Sequence, residues 1–208
     1  MRIVCISDTH GQQDRLVIPE GDLLLHAGDL SKRGTREELA PFFDWFEAQP
    51  HPHKVLIAGN HDFLAEKDRE AFRAMIPDSC TYLEDESVEI GGLHIYGSPI
   101  TPWFFDWAFN RQRGEEIKTY WDKIPANTDI LITHGPPHHM LDLTFRNVYA
   151  GCEELGKAVA RIRPRLHLFG HIHEAYGQLS QNGTLYVNAS VVDLSYQVVN
   201  PPVVIDWP

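Results

Sequence analysis

Cysteine is scarce in this chain of 208 residues: Cys5, Cys80 and Cys152 stand alone, with no CxxC or other metal-ligand spacing among them. An odd number of scattered thiols argues against a disulfide framework and suits a reducing compartment. Positive charge is scarce too, since 18 Lys and Arg against 29 Asp and Glu leave a formal net charge of −11. Such a field repels polyanions, which disfavours long nucleic acid as a partner yet leaves small anions drawn to a bound cation admissible. No apolar run approaches the roughly 20 residues that span a bilayer, so no membrane partner is expected. A cleavable leader is not expected either, because the first candidate functional residue is already Asp8. The expectation is a cytoplasmic protein. No repeat, low-complexity tract or linker divides the chain, and its length suits one sizeable core, so a single domain over residues 1–208 is expected.

Against these shortages stand 12 histidines, the usual metal ligand and proton carrier near neutral pH. Their positions matter more than their number. Apolar runs at Ile3 to Ile6, Leu23 to His26, Val55 to Ala58, Ile130 to Thr133 and Leu166 to Phe169 read as buried strands, and each leads into a polar cluster. Thr35 to Ala48 reads as a helix capped by Thr35 with Glu38 three residues on, and Cys152 to Ile162 as a second helix stopped by Pro164. Strands alternating with helices imply βαβ units. Two hairpins interrupt them: Gly91-Gly92 between Ser87 to Ile90 and Leu93 to Tyr96, and Asn182-Gly183 between Tyr176 to Leu179 and Leu185 to Asn188. The fold class expected is α/β, with two packed mixed sheets flanked by helices.

The polar clusters are Asp8-Thr9-His10-Gly11, Gly28-Asp29, Gly59-Asn60-His61-Asp62, Thr133-His134-Gly135 and Gly170-His171-Ile172-His173. In open α/β sheets ligands gather beyond the carboxyl ends of strands, so five such loops can converge on one site. Asp, Asn and His without cysteine suit hard or borderline divalent ions, and two such ions roughly 3.5–4 Å apart need a bridging carboxylate with flanking imidazoles. The alternation in Asp8-x-His10 and His171-x-His173 turns both side chains of each pair to one side of an extended segment. Alone, each cluster is more often an ordinary turn with a satisfied side chain; the ordered set of five carries the argument.

DTHG, GD, GNHD, THGPP and GHIH, in this order, resemble the signature blocks of calcineurin-like metallophosphoesterases, a four-layer αββα sandwich. The resemblance implies that Asp8, His10 and His173 hold one metal and Asn60, His134 and His171 another, with Asp29 bridging and His61 catalytic. GSPITPWFFDWAFN, THGPP, GCEEL and LFGHIHEAYG are similar to the small class III phosphodiesterases and the foetal-brain metallophosphodiesterase subgroup. That narrower likeness implies hydrolysis of small phosphodiesters, cyclic nucleotides included, by a metal-bridging hydroxide with His61 as general acid. Two divalent ions are implied, manganese in vitro, with iron or zinc as alternatives. Two departures stand out: Asp62 where the superfamily often has Glu, and Lys32 where protein phosphatases carry an acid.

The same motifs admit a phosphomonoesterase or a metal-dependent nuclease, and a non-catalytic scaffold would share the fold. Outside the clusters, His26, His51, His53, His94 and His167 read as structural or surface groups. His138 and His139 either line the substrate mouth or sit on an exposed loop. Trp103, Phe104, Phe105, Trp107 and Phe109 form a lid or a core cluster, or a stacking surface for a nucleobase. Arg33, Arg111, Arg113 and Arg146 are candidates for phosphate contact, with none singled out.

Overall fold

The computed structural model describes residues 1–207. In chain order its elements are β1 (Arg2–Ile6), β2 (Leu23–Ala27), α1 (Arg36–Glu47), β3 (His53–Ile57), α2 (Phe63–Lys67), α3 (Arg69–Arg73), β4 (Thr81–Tyr82), β5 (Glu86–Ile90) and β6 (Leu93–Ser98). There follow β7 (Thr101–Pro102), β8 (Asn110–Arg111), α4 (Glu115–Trp121), β9 (Ile130–Thr133), α5 (Glu153–Ile162), β10 (Leu166–Phe169), β11 (Gly177–Gln181), β12 (Thr184–Asn188) and β13 (Val203–Asp206). One sheet runs β13-β1-β2-β3-β4 and the other β11-β12-β10-β9-β6-β5, while β7 and β8 pair by themselves. Neighbours among β1 to β4 are parallel and β13 joins antiparallel; β6, β9, β10 and β12 run parallel between two antiparallel edge strands. Both sheets are therefore mixed, as the sequence suggested.

Side-chain alternation explains the layering. Ile3, Cys5, Leu23, Leu25, Val55 and Ile57 meet Ile95, Ile130, Ile132, Leu166, Leu168 and Val187 in one apolar cluster, so these faces of the two sheets pack on each other. The intervening residues point outward: Val4, Ile6, Leu24 and Leu56 share a cluster with Phe42, Phe43 and Phe46 of α1. On the far side Leu131, Phe169 and Tyr186 join Leu155 and Val159 of α5 with Ile117 and Trp121 of α4. Strands buried on both faces have no polar face to show, which is why they read as unbroken apolar runs. Cys5 lies in this interior, where burial pushes its thiol well up and leaves it inert.

The hairpins form at the expected dipeptides, with Gly91 and Gly92 at φ 58° and 80° and Asn182 and Gly183 at 52° and 86°. Those are the angles a two-residue turn with both central residues left-handed requires. The second hairpin is longer than the sequence suggested, because β11 and β12 pair down to Gln181 and Thr184 at the turn. Thr35 caps α1 by accepting a hydrogen bond from the Glu38 amide at 3.3 Å. Cys152 is the residue before α5, not part of it, and Arg163 ends that helix in the left-handed conformation just before Pro164.

Candidate metal centre

All five polar clusters emerge from parallel strands at the same end of the two sheets. Beyond β1 the parallel ladder continues in main-chain bonds from Asp8 N to Gly28 O at 2.9 Å and from His10 N to Asp29 O at 3.1 Å. Beyond β10 and β9 the Gly170 amide donates to His134 O at 2.9 Å, and across the two sheets the His171 amide donates to both carboxylate oxygens of Asp8 at 3.1 Å. Asp8, His10, Asp29 and His171 all have positive φ, between 45° and 67°. Non-glycine residues seldom adopt that region, and it clusters at sites where surrounding structure enforces it.

Two glycines make the convergence sterically feasible. A Cβ on Gly59 would lie 2.8 Å from His134 Cε1 and closer still to Asp29, and one on Gly170 would lie 2.7 Å from Ser7 Cβ and closer still to the Asp8 carboxylate. Asp62 ties the loops together from beneath. Its buried carboxylate accepts hydrogen bonds from the amides of Gly59, Leu30 and Ser31 and from the Ser31 hydroxyl, at 2.8 to 3.1 Å. Burial, with the nearby Asp29 charge, pushes the Asp62 carboxyl up to about 6.

The donor atoms form three overlapping groups: Asp8, His10 and His173; His10, Asp29 and His61; and Asp29, His134 and His171, each within 4.8 Å. Asn60 Oδ1 stands 2.8 Å from His134 Nε2. The structure thus brings together all eight residues singled out in the sequence. Four of the imidazoles have the ring nitrogen Nδ1 against a main-chain carbonyl: His10 on Ser31 at 3.2 Å, His134 on Ala27 at 2.9 Å, His173 on Asp193 at 3.1 Å and His61 on Lys32 at 2.8 Å. A carbonyl can only accept, so the proton sits on Nδ1 and the Nε2 lone pair faces the centre. Hence His10 Nε2 and His173 Nε2, 3.4 Å apart, confront each other with lone pairs that only a cation or an added proton can reconcile.

Burial opposes charge on His134, yet the Asp29 carboxylate 3.3 Å away holds it up at about 9. For Asp29, burial is outweighed by His134, His61 and His10, which keep its carboxyl well below the usual range. His173 does the same for Asp8. Burial drives His10 down to about 4 and His171 to about 3, so both remain neutral donors. Oxygen and imidazole donors at these separations, locked from behind, fit two divalent cations.

His61 lines a cleft of about 850 Å³, whose walls also include Trp107, Phe63 and Tyr196. The Trp107 ring sits 4.4 Å from that of His61, and Tyr196 sits edge-on to His10 at 4.8 Å and to His173 at 5.4 Å. Tyr196 escaped the sequence reading because it stands on a loop with no motif. Its φ of 57° and the bonds from Ser195 and Gln197 amides to Asp193 Oδ1 hold that loop in place. Of the aromatic group, Phe109 is core, Trp103, Phe104 and Phe105 are exposed, and Trp107 alone meets His61. Arg111 is engaged by Glu66 and Arg113 by Glu153. Arg33 lines the cleft. His138 and His139 pack against Tyr149.

The sequence model of the family described as Calcineurin-like phosphoesterase matches residues 1–175. Metallophosphoesterase domain-containing protein 1 of Homo sapiens is 43% identical over 231 aligned residues, spanning 100% of this chain and 71% of the human protein. UPF0046 protein K07C11.7 of Caenorhabditis elegans is 37% identical over 217 residues, spanning 98% of this chain and 74% of its own length. Among solved structures, phosphopantetheinyl hydrolase of Mycobacterium tuberculosis shares the fold, with a TM-score of 0.63 at 15% identity over 91% of this chain and 88% of its own.

Proposed function

This chain belongs to the calcineurin-like phosphoesterase family, and from that premise we propose that it hydrolyses small phosphodiesters, cyclic nucleotides included, with His61 as the proton donor. Asp8, His10 and His173 would hold one divalent ion and Asn60, His134 and His171 a second, with Asp29 shared between them. When bound, the ions supply charge neutralisation at the phosphoryl oxygens and lower the pKa of water to about 7. The observation that carries this reading is the pair of facing Nε2 atoms of His10 and His173, whose other nitrogens are already committed to carbonyls.

His61 is suited to a different task. Its Nδ1 proton is committed to the Lys32 carbonyl and Trp107 packs on its ring, so Nε2 is the atom that, once it has gained a second proton for the ring, can deliver it into the cleft. A departing alkoxide accepts that proton as its bond to phosphorus breaks, which is general acid catalysis. Neither Asp8 nor Asp29 is paired with Lys or Arg among the described residues; their partners are histidines. A diester monoanion suits such a cage better than a monoester dianion, and the cleft has room for an esterified group. A cytoplasmic setting belongs to the same proposal and is supported by three free cysteines.

The test is one panel under a single Mn2+ and salt condition: bis(p-nitrophenyl) phosphate, p-nitrophenyl phosphate, cyclic nucleotides and single-stranded RNA, with metal content measured alongside. Diesters should exceed the monoester, with two metals per active chain. A monoester preference of about tenfold would replace the diester reading, and RNA turnover that falls steeply with salt would identify a nuclease.

A further inference from the structure

The cleft above His61 carries an unusual charge for a chain of net charge −11. Arg15, Lys32 and Arg33 line it and no Asp or Glu does. Among the described residues none of the three side chains forms a salt bridge, although the Arg33 amide donates to the Glu38 carboxylate at 2.7 Å, whereas Arg69, Arg73, Arg111 and Arg113 each form one. Arg15 reaches only the neutral Gln197 side chain, at 3.4 Å. Lys32 is moreover the residue whose carbonyl orients His61, at 2.8 Å, so the cationic side chains spring from the wall beside the proton donor. That is the side on which a leaving group must depart.

The same cleft is flanked by rings. Trp107 lies 4.4 Å from His61 and is backed by Phe63 at 5.7 Å, while Tyr196 lies 6.1 Å from His61. A planar group leaving past His61 has the rings of Trp107 and Tyr196 beside it and three cationic side chains free of salt bridges in the same cleft. We propose that this cleft is a leaving-group subsite for a nucleoside that bears a further phosphate, so that the preferred substrate is a short dinucleotide with a terminal phosphate. The inference rests on the phosphodiester reading above and narrows it. The reaction balances as hydrolysis: water's oxygen bonds to phosphorus, the bond from phosphorus to the nucleoside oxygen breaks, and that oxygen takes its proton from His61. Cations fix the terminal phosphate through charge-assisted hydrogen bonds, and the base stacks without sequence selection.

The experiment compares kcat/KM on TpT with that on TpTp and pTpT, using metal-loaded protein and bis(p-nitrophenyl) phosphate as the reference diester. The better phosphorylated dinucleotide should exceed TpT by about tenfold or more, with the gap narrowing at high salt. Its analogue lacking the base on the phosphorylated nucleoside should lose about tenfold. In the combined variant Arg15→Ala, Lys32→Ala and Arg33→Ala the ratio of phosphorylated to plain dinucleotide should fall toward one; because a ratio is read, a general loss of activity cancels. A ratio near one in the unaltered protein, or a ratio that survives the triple substitution, overturns the subsite while bis(p-nitrophenyl) phosphate hydrolysis leaves the diesterase reading standing. No hydrolysis of any diester overturns both.

Discussion

Gly170→Ala is the sharpest test of how the cage is assembled, because it adds one methyl group and removes no functional atom. The new Cβ would stand 2.7 Å from Ser7 Cβ and nearer still to Ser7 Oγ and the Asp8 carboxylate. Carbon atoms in contact sit roughly 3.5–4.0 Å apart, so the neighbours must retreat by about 1 Å. They have nowhere to go: Ser7 and Asp8 are fully buried. Overpacking of this kind costs about 1–3 kcal/mol, which in a chain this long lowers Tm by roughly 2–12 °C. The larger consequence is at Asp8, since a misplacement of about 1 Å in a reacting assembly costs on the order of 100-fold in rate. Calorimetry, metal analysis and bis(p-nitrophenyl) phosphate turnover should therefore show modest destabilisation with a disproportionate loss of metal and activity. Gly156→Ala is the control: it lies within α5 with nothing within 4 Å of the new carbon. Helix propensity alone should raise its stability by about 1 kcal/mol with activity intact. If Gly170→Ala kept its full metal content and a rate within about threefold of the original, the close approach of β10's loop to Asp8 would not matter as argued.

Three further outcomes follow from the same geometry. Asp29→Ala and His171→Ala should each lower metal content and rate together, measured by elemental analysis beside turnover; unchanged occupancy in both removes them from the ligand set. His61→Ala should keep its metal and lose about 10²–10⁴-fold on alkyl diesters but far less on aryl diesters, and equal losses on both would take the proton-donor role away from His61. His167, buried against Thr133 Oγ1 at 2.8 Å, is driven by burial down to about 3. Because its unfolded value is about 6.5, the unfolded chain binds more protons between these limits, so its contribution is present above pH 6.5 and lost as pH falls toward 3. Urea midpoints should show His167→Gln escaping roughly 1.5 kcal/mol of the stability loss between pH 6.5 and 5, and an unaltered pH slope would contradict that assignment.

The candidate ligands were legible in the linear sequence because each sits in a short local pattern. A strand buried on both faces must be apolar throughout, and a run such as Leu166 to Phe169 that breaks into Gly170-His171-Ile172-His173 announces both the strand and the end that carries the candidate ligands. Elements that owe their existence to distant partners were not legible. β4 has two residues and exists by pairing with β3, β13 by pairing with β1 from the opposite end of the chain, and the short helices α2 and α3 lack the periodic length that marks a helix.

Orientation of the site was beyond the sequence altogether. The contact between the His171 amide and Asp8 joins residues 163 apart, and Tyr196 reaches the cage from a loop without a motif. The carbonyls that aim His10, His61, His134 and His173 belong to Ser31, Lys32, Ala27 and Asp193. Every residue has a carbonyl, so nothing in the identity of those four distinguishes them. Side-chain chemistry is written locally and so named the candidate ligands; the direction in which each lone pair points is a property of backbone groups brought together only by the folded chain.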